Sequence, residues 1–224
     1  MPGRLEKFVN NRIYHIFNKT INKRLIFDSD NYCSKFLDIA RYYQSSQALV
    51  SYSNIKNYDL DFQKKLFRRI VIKKYFNVEI FTFSLMPTHY HFLIRQKKDN
   101  GIPIFIADTL NSFTRYFNIK NEGLGPIFLP RFKSKRITTD EQAKHVSRYI
   151  HLNPLTAGIV NSIDELIEYR WSSLPEYLTG KKGICNTKFI LNLFDDNKQR
   201  YRKFLEDNIN YQKTLDMIKH AKNF

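Results

Sequence analysis

Two histidines, His89 and His91, stand two residues apart in the run Met86-Pro87-Thr88-His89-Tyr90-His91-Phe92-Leu93-Ile94, at the start of an apolar, strand-like stretch. Side chains on a strand alternate faces, so both imidazoles point the same way, about 6–7 Å apart, with Tyr90 on the other face. Such a pair is a two-toothed clamp for a divalent ion; two merely solvated or hydrogen-bonded histidines are the unreactive alternative. The setting favours the clamp. Residues 75–85 alternate apolar and polar over their centre, Met-Pro-Thr turns, and the second strand follows, so a hairpin holds the pair rigidly.

A reaction needs more than two imidazoles. Downstream, Thr138 and Glu141 have capping-box spacing at the head of a helix predicted over 139–152. On it Tyr149 and Asn153 lie four apart, one above the other on a single face, with His145 a turn earlier and Val146 and Ile150 on the neighbouring core stripe. Tyr149 thus offers a nucleophilic oxygen and Asn153 an amide, although a tyrosine at such a place also serves as a boundary core residue. Tyr116 is the rival nucleophile, on the helix after the hairpin, but position 120 is Lys and gives it no amide partner. His145 and His151 are candidate proton shuttles, with solvated or capping roles as the alternative. His15 and His220 carry no special context.

The elements that must position these groups read as strand, helix, hairpin, helix, strand, helix. Residues 12–20 alternate as a first strand, and Asp28-Ser29-Asp30 can cap a helix through Tyr43. A polar loop over 45–57 and an amphipathic segment over 59–74 lead into the hairpin. Pro103, Ile106, Leu110, Phe113 and Phe117 mark a helix that stops near Gly123. That order predicts an α+β domain, a ferredoxin-like antiparallel sheet with helices packed on one face, over residues 1–180. Residues 181–224 read as a helical basic C-terminal extension carrying Lys198, Arg200, Arg202, Lys203, Lys213, Lys219 and Lys222.

Composition narrows the partners. The 224 residues hold 37 Lys+Arg against 21 Asp+Glu, a net charge of +16, with 14 Tyr and 19 Phe, the profile of a chain that tracks phosphates and stacks on bases. Arg131, Lys133, Lys135 and Arg136 are the candidate phosphate contacts, with Phe128 or Phe132 as stacking platforms. Two cysteines without CxxC spacing speak against a disulfide-built secreted domain, and no apolar leader or eighteen-residue apolar run occurs. The expected setting is cytoplasmic, at the nucleoid, with no membrane partner, as monomer or homodimer.

These motifs together, followed by Ala157-Gly158 and Arg170-Trp171-Ser172-Ser173, resemble the single-tyrosine HUH transposases and, within them, the REP-associated tyrosine transposases, over about residues 12–178. The resemblance implies that His89 and His91 bind the metal, that Tyr149 is the nucleophile, and that Asn153 completes the coordination, though Asn before Pro can also cap a helix. It implies cleavage of single-stranded DNA beside hairpins through a 5′-phosphotyrosine link, leaving a free 3′-OH. The donor set suits Mg²⁺ or Mn²⁺. The competing function is a hairpin-DNA-binding protein or autoregulator on the same fold that no longer cuts.

Overall fold

The computed structural model describes residues 7–209. Strands β1 (Ile13–Lys19), β2 (Val78–Met86), β3 (His89–Gln96) and β4 (Lys133–Ile137) form a sheet in the order β2-β3-β1-β4, with every neighbouring pair antiparallel. Helices α1 (Asp30–Tyr43) and α2 (Leu60–Ile70) connect β1 to β2, and α3 (Gly101–Lys120) connects β3 to β4. Each crossover skips one strand, and crossovers of a common right-handed sense set their helices on one face of a sheet. On that face Tyr14, Ile16, Ile80, Phe83, Tyr90, Phe92 and Ile94 bury against Phe36 of α1 and Phe105 and Phe113 of α3. The α+β class and the ferredoxin-like order are those the sequence predicts.

The helices do not stop at one face. Helix α4 (Asp140–Thr156) leaves edge strand β4 with the sheet complete, and its apolar residues Ala143, Ile150, Leu152 and Leu155 bury on the opposite face against Phe81, Leu93 and Ile137. The apolar run from Phe92 to Ile94 fits a strand that is covered on both sides. The α4 cap also lies one residue later than the spacing suggests: the Thr139 hydroxyl accepts from Gln142 N at 3.1 Å, while the Gln142 side chain accepts from Thr138 N at 2.9 Å. The helix continues through Asn153 and Pro154, where proline leaves the Ile150 carbonyl without its helical donor.

Helices α5 (Ile163–Glu168), α6 (Leu174–Leu178), α7 (Lys188–Asn192) and α8 (Lys198–Glu206) finish the α4 layer. Tyr201 and Leu205 of α8 are fully buried in the core that α4 forms, so this basic helix is seated by apolar area, each such side chain contributing about 2–3 kcal/mol. The Arg202 ion pairs with Asp164 and Glu206 lie in water and add little. Lys213, Lys219 and Lys222 lie outside the described residues. The same C-terminal stretch covers the β2 edge: Leu85 N donates to Trp171 O, Ser173 N to Phe83 O and Asn186 N to Ile80 O. Edge β4 instead carries exposed lysines, a common means of keeping an edge from pairing.

His151 ties these layers together. Fully buried, it meets the Ser173 hydroxyl through Nε2 and the Tyr201 hydroxyl through Nδ1, both at 2.7 Å, and Tyr201 donates on to Ser147 at 3.2 Å. Burial pushes its pKa from 6.5 down to about 3, which makes it a neutral structural bridge and not a proton shuttle. Below pH 6.5 the unfolded chain takes a proton here that the folded chain refuses until about pH 3. Stability therefore falls as the pH drops through that window, by up to about 1.4 kcal/mol per unit from this group. In urea unfolding between pH 7 and 5, His151→Gln should start less stable than the wild type and lose less on acidification. An equal loss in both would deny His151 this linkage.

Candidate functional site

The register of β1 on β3 builds the site. His15 pairs with Leu93, Phe17 with His91 and Lys19 with His89, so all of them share the α4 face of the sheet. His89 follows directly on the Pro87-Thr88 turn. That turn is pinned because Pro87 O accepts from Ile26 N and Phe27 N, and Thr88 O from Thr20 N. The His89 and His91 rings stand 5.1 Å apart, nearly perpendicular.

Tyr149 arrives from the opposite layer. Apolar residues on the core stripe of α4 dock the helix on the sheet, and the adjacent stripe then presents Tyr149 over the histidines. Its ring lies 5.5 Å from that of His91, at 89°, and 5.9 Å from that of His15. Asn153, one turn on, is buried, and its Nδ2 makes no hydrogen bond among the described residues. A rotated amide would present an oxygen there instead, since amide O and N exchange by a flip. Tyr116 stands in the other layer, beside Tyr32 of α1, with the sheet between it and the histidines. His145 is half exposed and bonds Glu141 at 2.7 Å, an ordinary helix-surface pair.

His15 is the residue the sequence gave no reason to single out. Its Nε2 lies 2.9 Å from His91 Nδ1, with both rings buried. His89 is tied similarly, its Nδ1 being 3.1 Å from the Thr88 hydroxyl. A histidine that holds a metal through one nitrogen engages a partner through the other, which fixes tautomer and ring orientation. Here the Nδ1 atoms of His91 and His89 are both engaged in this way. Burial, reinforced by the Lys19 ammonium, pushes the His89 pKa from 6.5 down to about 4, so the ring is neutral at physiological pH, the form a metal requires. Among the described residues no group of three or more His, Cys, Asp and Glu is placed to hold a metal ion.

The basic segment is divided by the pleat. Lys133 pairs with Phe17 and Lys135 with His15, on the histidine face and exposed; Arg136 pairs with Tyr14 on the α1 and α3 face; Arg131 is exposed in the approach to β4. Phe128 is buried in the core and open to no base. Phe132 is partly buried and stacks on Phe8 at 6.1 Å. The signals for the missed residues are faint but physical: His15, Phe17 and Lys19 alternate along β1, and only the pairing with β3 gives that stripe its meaning.

No protein-family profile and no curated protein matches the chain. Solved structures do. The structure of a REP-associated tyrosine transposase bound to a REP hairpin superposes with a TM-score of 0.54 at 17% identity, over 82% of this chain and 90% of that one. A candidate transposase from Deinococcus radiodurans R1 matches more loosely, with a TM-score of 0.38 at 15% identity, over 67% of this chain and 95% of that one. No helix among the described residues is long and apolar enough to cross a membrane. The chain thus has the fold of the REP-associated tyrosine transposase.

Proposed function

We propose that the chain is a metal-dependent single-strand DNA endonuclease and strand transferase of the tyrosine transposase kind, acting on single-stranded or hairpin DNA at the nucleoid. The observation that carries this reading is the perpendicular approach of the Tyr149 ring, at 5.5 Å, to one of two neighbouring histidines on a sheet face rimmed by Lys19, Lys133 and Lys135.

In the proposed reaction the Tyr149 oxygen attacks the scissile phosphorus as the phenol proton departs. The bond from phosphorus to the 3′ oxygen breaks, and that oxygen takes up a proton to leave a free 3′-OH. The strand stays joined to Tyr149 as a 5′-phosphotyrosine ester. One phosphate ester replaces another of similar energy, so a 3′-OH can reverse the step and rejoin DNA. His89, His91 and Asn153 would hold Mg²⁺ or Mn²⁺, and the engaged Nδ1 atoms together with the buried amide fit that role. Such an ion supplies charge stabilisation at the phosphate. His15 acts through His91, accepting from its Nδ1 and thereby keeping Nε2 as the lone-pair nitrogen.

The direct test uses a hairpin flanked by single strands, with Mn²⁺. Wild-type protein should give a protein–DNA adduct that survives SDS, and Tyr149→Phe should lose it while keeping affinity within about twofold, because the ring remains. Tight binding without an adduct under any divalent metal would reduce the chain to a hairpin-binding module.

The role of His15 predicts that His15→Phe, which keeps a ring but accepts no hydrogen bond, weakens Mn²⁺ binding about 10- to 100-fold in a paramagnetic resonance titration, with no DNA present. Unchanged Mn²⁺ affinity would remove His15 from the site.

Lys133 and Lys135 should lie on the DNA path. Replacing both by Gln should lower the slope of log affinity against log salt by about 1.4, at roughly 0.7 per single-strand phosphate contact. An unaltered slope would take β4 off the path.

A further inference from the structure

Phe17 is an aromatic ring without an evident structural task. It sits in mid-sheet on β1, is only partly buried, and belongs to neither of the two hydrophobic clusters that account for the core. It is not among the residues packed with Leu93 and Ile137 in the α4 core on the same face.

Its neighbours define what the ring could receive. The strand order places Phe17 between His91 of β3 and Lys133 of β4. Toward β3 it stacks on the His91 ring, with centroids 5.4 Å apart and planes 26° from parallel, and His15 lies 5.1 Å away on the same strand. Toward β4 stands the exposed Lys133, and two residues along β1, opposite His89, is the exposed Lys19. A flat apolar face flanked by two cations suits a nucleobase whose neighbouring phosphates need neutralising, and a stack of this kind tolerates any base.

We propose that Phe17 is the stacking platform for the base next to the scissile phosphate, extending the stack that His91 begins, with Lys19 and Lys133 holding the phosphates on either side. This rests on the cleavage reading above and adds to it a subsite that fixes which phosphate lies under Tyr149. Phe17 positions the strand and takes no part in bond making. Its loss should therefore misplace the cut as well as weaken binding.

The test is an abasic scan. The probe is a DNA hairpin with oligothymidylate flanks on both sides, with single bases removed in turn near the cut. For wild-type protein one abasic position should cost about 5- to 100-fold in affinity. Phe17→Leu, which keeps the apolar volume and protects the fold, should bind the intact probe that much more weakly, lose its sensitivity at that one position, and spread the sites of adduct formation. Phe17→Trp should restore both. If wild-type protein forms the adduct but Phe17→Leu keeps the same abasic pattern and cut site, the platform is refuted and the cleavage reading stands. If wild-type protein binds the probe and forms no adduct, the cleavage reading fails and takes the platform with it.

Discussion

The pairing of β1 with β3 is the constraint on which the site depends. One register sets His15, Phe17 and Lys19 beside Leu93, His91 and His89. A slip of one residue would turn the whole β1 stripe to the other face, into the core beneath α1 and α3. The register is held from both ends. The chain after β1 clamps the Pro87-Thr88 turn, and Gln96 N donates to Arg12 O at the far end of the pair. Large apolar residues of both strands lock the α1 and α3 face, so the geometry of the opposite face inherits its precision from packing on this one.

The second constraint is where α4 lands. Its docking is fixed by aliphatic contacts to the sheet and by the His151 bridge, whose two nitrogens reach Ser173 below and Tyr201 of α8 beside it. His151 and Tyr149 are two residues apart on one helix and face different surroundings, one sealed and neutral, the other at the open histidine face. That contrast singles out His151 as a sealed structural group in a stretch where the sequence offers His145, Tyr149, His151 and Asn153 with little to rank them.

Much of this was legible in the sequence because the signals are local. The shared face of His89 and His91 follows from strand alternation, and the one-turn offset of Tyr149 and Asn153 from the helix that carries them. The order of elements also yields the ferredoxin-like sheet. What was not legible depends on distant pairing. His15 meets His91 across 76 residues of sequence, and nothing within either segment announces it. The basic run at 131–136 looks like one patch, but β4 is a strand, so the pleat sends Lys133 and Lys135 to one face and Arg136 to the other. Phe128 looks like a platform in sequence and is core in the fold, while Phe17, unremarked in its strand, stays partly exposed and outside both cores.

The central claim, that the open face bearing His89 and His91 is a reaction centre with Tyr149 as its nucleophile, is tested most directly by peptide mapping of the protein–DNA adduct. Trypsin cutting after Arg148 and Arg170 releases a peptide that begins at Tyr149 and holds Tyr149 and Tyr169 as its tyrosines. Fragmentation should find the 5′-phosphonucleotide on Tyr149. A nucleotide on Tyr116, on Tyr169 or on any other residue would contradict the account.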